Sequence, residues 1–390
     1  MAEPGIPPGP LHGVRILALE MYGAGPYGSQ ILAELGADVI KIESPAMGGD
    51  VSRATGPFLL GEDDSEFFQA FSRAKRSVAL DIKTAQGRAD FERLVASSDA
   101  VANNLRGDQP EKLALTYAQL GQVKPSIVCA HLSAYGRGNS RQSWPGYDYL
   151  MQAEAGLMSL TGEPGGPPTR LGVSMVDYMS GTMMAAGLLA ALLAASRTGS
   201  GCDVDVSLFD VALHQLSYTA VWAMNEDFIV QRMPRSAHPT AAPSQLVRTQ
   251  DGWAFIMCQT QKFWLKLCEL AGAADLAADA RFAGLAERRA NLRDLTAALD
   301  ALFATRTTQA WRQLFAGVVP FAPVLTIEQA LGQDFVAESG LRDVVAHPQR
   351  PGGLHMLACP IKIDQHRMPG RRGPALGEHT AEILGADAGR

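Results

Sequence analysis

Asp177 lies in Leu171-Gly-Val-Ser-Met-Val-Asp-Tyr-Met-Ser-Gly181, after a short apolar run and ahead of a small-residue stretch, Gly181 to Ala195. An ionised carboxylate is costly to bury there unless a partner or a reaction uses it. Upstream, Pro145-Gly-Tyr-Asp-Tyr-Leu-Met-Gln152 carries Tyr147 and Asp148 into a second apolar segment. With the glycine-rich turn Gly23-Ala-Gly-Pro-Tyr-Gly28, these residues point to acyl chemistry run by a carboxylate nucleophile. Such covalent catalysis splits one hard step into easier ones. Each residue also has a plainer role open to it. Asp177 suits the N-cap of a helix over 178–193. Asp148 suits a strand–helix junction, and Tyr147 a core aromatic with a satisfied hydroxyl.

The glycine turn is a literal GxGxxG that follows a strand and opens a helix, and Glu43 stands where a ribose-binding acid would. Two details weaken a nicotinamide-nucleotide reading. Glu20-Met-Tyr22 separates the strand from the first glycine, and Pro26 removes an N–H that would face pyrophosphate. What remains open is a turn that permits close packing, or backbone approach to another phosphate-bearing ligand. A dehydrogenase stays as an alternative.

The elements that must hold these residues can be read from the wider chain. Its 390 residues are 47% apolar and 19% charged, which suits a well-buried globular enzyme of two or three domains. A net charge of −6 and a pI near 5.8 argue against general nucleic-acid binding. Cys129, Cys202, Cys258, Cys268 and Cys359 are far apart and form no CxxC pair. They read as free thiols of a reducing cytoplasm, and no metal site is expected. The Pro/Gly-rich start lacks the basic and apolar regions of a signal peptide. The apolar stretch Thr182 to Ala195 is shorter than the ~20 residues of a membrane span, so no membrane is expected.

Strand and helix alternate through the first half. Strands are expected over 14–19, 38–43, 77–82, 100–103 and 127–133, and helices over 26–35 and 87–96. Such alternation predicts an α/β fold with a Rossmann-like, mostly parallel sheet. From Val204 the pattern turns helical to about Asn225, and a smaller α+β domain comes next. The expected division is 1–203 as the large domain, 204–225 as a linker helix and 226–330 as the small domain. Residues 331–390 form a C-terminal segment returning to the large one.

Gly23-Ala-Gly-Pro-Tyr27 followed by Leu35-Gly-Ala-Asp-Val-Ile-Lys-Ile-Glu43 resembles the opening of the class III CoA-transferases, the family of formyl-CoA transferase and carnitine CoA-transferase. Ala74 to Asp81, Asp99 to Leu105, Gly146 to Tyr149, Gly172 to Asp177 and Arg197 to Asp210 resemble its later blocks, in order. Leu105 stands where an aromatic is usual. The resemblance implies CoA transfer from an acyl-CoA donor to a small carboxylic acid. It implies no permanently bound cofactor, CoA thioester as substrate, and an interlocked homodimer.

Carried over by resemblance, Asp177 is the nucleophile and Asp148 an acidic neighbour. Tyr147 donates to the thioester or anhydride oxygen, and the Gly23 and Ala24 N–H groups lie beside the reacting carbonyl. CoA's phosphates need cations or N–H donors, for which Arg73, Lys75, Arg76, Asn104 and Lys112 are candidates. The family's glycine-rich loop is replaced by Cys258-Gln-Thr-Gln-Lys262. Gln259, Gln261 and His238 are then candidates for gripping the acceptor, expected to be a dicarboxylate. The family's α-methylacyl-CoA racemases need two acid/base groups. They place a histidine where this chain has Tyr147, and no histidine lies between His131 and His214.

Overall fold

Six short segments build one parallel sheet: β1 (Arg15–Leu19), β2 (Asp38–Glu43), β3 (Arg76–Ala79), β4 (Ala100–Asn103), β5 (Val128–Ser133) and β6 (Asp203–Ser207). Their spatial order is β3-β2-β1-β4-β5-β6. β4 and β5 are buried along their whole length, and β1 and β2 at all but the first residue. Helices on both faces of a parallel sheet require such near-continuous apolar strands. Leu17, Ile40, Val78, Val101 and Cys129 meet in its main core. The order reverses between β1 and β4. Ligands of such sheets bind at that switch point, beyond the carboxyl ends of the strands.

The computed structural model describes residues 9–387, in two units. The first holds the six-stranded sheet and comprises the described residues through Gly156, then Leu171–Ser217, and those from Phe335 onward. The second comprises Leu157–Arg170 and Tyr218–Asp334. Its antiparallel sheet runs β7 (Ser244–Arg248), β8 (Trp253–Met257), β9 (Phe321–Pro323). Helices cover that sheet through Trp264, Leu299, Phe303, Trp311 and Phe315, all buried. The C-terminal part of the first unit adds an antiparallel pair, β10 (Arg342–His347) with β11 (Arg350–Leu357).

β6 departs from the helix expected from Val204. Asp203-Val-Asp-Val-Ser207 alternates polar and apolar residues, the period of a half-exposed strand, and it pairs with β5 at the sheet edge. Three helices of the first unit concern the site: α1 (Ala24–Glu34), α2 (Asp148–Glu154) and α3 (Met175–Thr198). α3 begins earlier than the small-residue stretch suggests. Its 24 residues are long and apolar enough to cross a membrane, whereas Thr182 to Ala195 alone is too short for a span. Here it packs on α1 and β5. Two glycines permit that approach: a Cβ on Gly28 would lie 2.3 Å from the Gly181 carbonyl oxygen, and one on Gly181 would lie 2.4 Å from the Ala24 oxygen.

Candidate active site

A cavity of about 430 Å³ opens at the switch point. The loops after β1, β4 and β5 contribute Tyr22, Asn104 and Ala134, the helix that starts directly after β6 contributes Leu208, and α3 contributes Asp177. The volume falls in the range of small-molecule sites. Its carboxylate and the glycine turn meet directly: Asp177 Oδ2 lies 3.1 Å from where a Cβ on Gly23 would sit. Any larger residue at Gly23 would crowd the carboxylate. Gly23 is the N-cap of α1, so Asp177 faces the start of that helix. The Gly23 and Ala24 N–H groups have no partner among the described residues.

Asp177 is the third residue of α3 and not its cap. The capping contact comes from elsewhere in the chain. Asp148, buried at the start of α2, accepts the Asp177 backbone N–H at 3.0 Å through Oδ2. Its Oδ1 accepts from Gln152 Nε2 at 2.6 Å, and Gln152 Oε1 accepts the Leu171 N–H at 2.9 Å. A carboxylate bonded to an N–H of the first turn is a charge-assisted contact. It explains why α3 starts at Met175, before the stretch whose composition favours helix.

The same neighbour shapes the nucleophile candidate's charge. Burial, and secondly the Asp148 charge, push the Asp177 carboxyl up to about 7. The α3 dipole opposes this by about 0.3–1 kcal/mol, which is less than one pKa unit. Burial therefore wins. The ionised form is poorly solvated and carries the reactivity that solvation would otherwise quench.

The two glycines after Gly23 bear on the dinucleotide reading. A Cβ on Gly25 would lie 2.8 Å from Asn104 Cβ, and the space before Gly28 belongs to Gly181. Glu43 is buried, with its carboxylate held by Arg53 at 2.8 and 2.7 Å and by Ser77. Gly25 and Gly28 thus serve close packing inside the protein, and the Glu43 carboxylate is already bonded to protein groups.

The expected residues divide into three sets. Gly23, Ala24, Asn104, Tyr147 and Asp177 line the cavity, with Asp148 directly behind Asp177. Tyr147 is exposed, 63%, so the core-aromatic role does not apply. Asn104 clasps the β1–α1 loop: it accepts the Met21 N–H at 2.9 Å and donates to the Met21 oxygen at 2.7 Å. The basic cluster is otherwise occupied, which corrects the expectation that it meets phosphate. Arg73, 2% exposed, pairs with Glu34 at 2.8 Å. Lys75 spends its three hydrogens on Glu20, Pro26 O and Phe71 O at 2.7–2.9 Å. Arg76 starts β3, at the sheet end opposite the cavity, and pairs with Asp38 and Glu382. Lys112 is exposed and bonds Asp108 at 2.6 Å, one turn from the cavity-lining Gln109.

Gln259, Gln261 and His238 belong to the second unit. Gln261 Oε1 accepts from Arg288 at 2.9 Å, and Arg288 also donates to the Gln259 carbonyl at 3.1 Å. Arg288 is itself fully buried over Trp264. The Cys258–Lys262 loop is thereby braced from within. His238 Nδ1 accepts the N–H groups of Thr240 and Ala241, both at 3.2 Å, so its proton sits on Nε2, 3.2 Å from the Tyr218 hydroxyl.

Sequence reasoning missed Arg106, an exposed cation on the cavity wall two residues beyond Asn104. Adjacency to that block was the available signal. It also missed Lys41. A lysine in the middle of the apolar strand β2 is a signal in itself, because buried lysines need partners. Among the described residues, no group of three or more His, Cys, Asp or Glu could hold a metal ion.

Residues 11–380 match the model of CoA-transferase family III. The chain is 34% identical to an acetyl-CoA:oxalate CoA-transferase of Acetobacter aceti, over 97% of this chain and 96% of the relative. It is 33% identical to a succinate–glutarate CoA-transferase of Agrobacterium fabrum, over 96% of this chain and 95% of that one. A solved structure of a CAIB/BAIF family protein from Brucella suis superposes with a TM-score of 0.84 at 32% identity, covering 98% of this chain and 100% of the other.

Proposed function

The chain belongs to CoA-transferase family III, and we propose that it moves coenzyme A from an acyl-CoA such as succinyl-CoA to a small dicarboxylic acid through covalent intermediates on Asp177. One observation carries the mechanism: a poorly solvated carboxylate lies against the unpartnered start of α1 at the switch point of the sheet.

In the proposed reaction, Asp177 attacks the donor thioester carbonyl. The C–S bond breaks, CoA leaves as thiolate, and a mixed anhydride forms. The thiolate then attacks the aspartyl carbonyl, releasing the donor acid and leaving an aspartyl-CoA thioester. The acceptor carboxylate attacks that thioester, expelling CoA thiolate and forming a second anhydride. Thiolate attack on the acceptor carbonyl releases the new acyl-CoA and restores Asp177. Each attack creates an oxyanion, and the Gly23 and Ala24 N–H groups are the donors proposed to meet it. Tyr147 is proposed to donate from the cavity wall. Phosphate recognition falls to Arg106 and Lys112, the cations at and near the cavity that remain exposed.

The dicarboxylate assignment draws support from the names of the oxalate and succinate–glutarate relatives. The test is incubation with succinyl-CoA and a panel of acids, read by mass spectrometry. CoA should appear on dicarboxylates well ahead of butyrate, because a bound acceptor that covers the gripping donors without a second carboxylate leaves them unpaired. Equal use of butyrate would remove the dicarboxylate reading. Rapid α-proton exchange of a 2-methylacyl-CoA in deuterated buffer, with no transfer, would replace the transferase by a racemase.

The working form is proposed to be an interlocked homodimer. Met183 and Leu193 on α3 are 41% and 53% exposed, and an apolar helix with such an outward side is suited to cover by a second copy. Sedimentation should give twice the chain mass, and a monomer at micromolar concentration would remove the idea.

A further inference from the structure

Beneath the cavity lies a buried ionic lattice that the proposed chemistry does not touch. Lys41, in β2, is wholly buried, and its Nζ lies 2.7 Å from Asp50 Oδ2. That ammonium also donates to the Glu20 carbonyl oxygen at 2.8 Å. Asp50, 3% exposed, accepts the Tyr22 N–H at 3.2 Å and the Ser52 N–H at 2.9 Å through Oδ1. Glu20 is held mainly by Lys75 and Ser29, with Lys41 Nζ 4.0 Å from its Oε1. Two ammonium groups thus face two carboxylates, and the lattice is neutral.

The lattice and Asn104 together grip three consecutive residues of the β1–α1 loop. Lys41 holds the Glu20 oxygen, Asn104 both backbone groups of Met21, and Asp50 the Tyr22 N–H. Tyr22 needs that grip, since its φ of 62° is the left-handed region. For a bulky residue this backbone is strained and persists only where the surroundings over-determine it. The next residue is Gly23, which abuts Asp177.

We propose that Lys41 and Asp50 are positioning residues that set the oxyanion-binding turn of Gly23 and Ala24 against Asp177. The inference rests on the oxyanion-binding role proposed for that turn. Buried ion pairs are poor stabilisers, and packed apolar side chains of similar volume often serve as well or better. What apolar side chains cannot supply is directed hydrogen bonds to the Glu20 oxygen and the Tyr22 N–H. Oxyanion donors work only within a few tenths of an ångström of the right distance, and a 1 Å misplacement costs about a hundredfold in rate.

The test is the double variant Lys41→Met with Asp50→Leu. It removes both charges together, while Glu20 keeps Lys75, so no ion is left unpaired. Single-turnover reaction with succinyl-CoA is quenched, and the Asp177 adduct is measured by mass spectrometry beside KM and the thermal midpoint. Adduct formation should slow at least tenfold while KM for succinyl-CoA stays within threefold. A merely structural role would lower the thermal midpoint without this split between rate and KM. A folded double variant that forms adduct within threefold of the unsubstituted rate overturns the proposal. Should it not fold, Asp50→Asn keeps the shape and an oxygen for Tyr22 but turns an amide toward Lys41. There a threefold or greater slowing at unchanged KM is expected, and an unchanged rate overturns the proposal. Absence of adduct in the unsubstituted enzyme overturns the underlying nucleophile reading as well. Normal adduct formation in both enzymes overturns the positioning role alone.

Discussion

Asp177→Ala is expected to lower turnover by several orders of magnitude while changing acyl-CoA affinity by less than about tenfold. The expectation comes from where the carboxylate stands. It is a half-buried wall residue of the cavity, next to Gly23. A group that forms the covalent bond contributes to the transition state, and little of the binding energy of a large thioester passes through it. Treating unsubstituted enzyme with acyl-CoA and hydroxylamine should convert the Asp177 side chain to a hydroxamate, which fragmentation of the peptide would locate. The alanine variant should give none. Turnover of Asp177→Ala near that of the unsubstituted enzyme would remove the nucleophile assignment.

The same carboxylate explains an expected pH profile. Attack requires the ionised form, and burial followed by Asp148 holds the Asp177 carboxyl up to about 7. The kcat/KM should therefore rise with pH through that region and flatten above it. An ordinary carboxylate would have flattened two or more units lower.

What the sequence made legible and what it left hidden divide along the range of the interactions. β2 and β4 were readable because strands buried on both faces are short apolar runs between polar punctuation. β6 was not, since Asp203-Val-Asp-Val-Ser207 sits at an edge directly before a helix-forming stretch, which masked its alternation. Asp177, Gly23 and Asn104 were found as blocks in a family's order, and the structure gathers them about one cavity. The basic cluster misled because nothing local says that Glu34 will reach Arg73 or that Glu20 will reach Lys75. A run of cations reads as solvated or ligand-facing until the fold supplies buried carboxylates from α1 and the end of β1. The start of α3 was hidden for the same reason: its cap, Asp148, lies on another helix.

That cap carries the second large effect. Asp148→Ala should reduce kcat by about a hundredfold, because the Asp177 N–H loses its partner and the nucleophile loses the anchor that fixes its distance from Gly23. Asp148→Asn separates this anchoring from the charge. The asparagine oxygen still accepts the Asp177 N–H, so turnover at high pH should stay within a few-fold of normal. Its neutral side chain no longer opposes ionisation of Asp177, so the acid limb of kcat/KM should move to lower pH. The sign is fixed by the physics: removing a neighbouring negative charge stabilises a carboxylate and lowers its pKa. Burial, the larger cause, is untouched, and the limb should stay above the ordinary carboxylate range. Profiles of the two variants measured from about pH 5 to 9 with saturating acceptor decide the matter. An asparagine variant whose limb does not move, or moves upward, would mean that Asp148 is itself uncharged in the working enzyme and acts on Asp177 through the hydrogen bond alone.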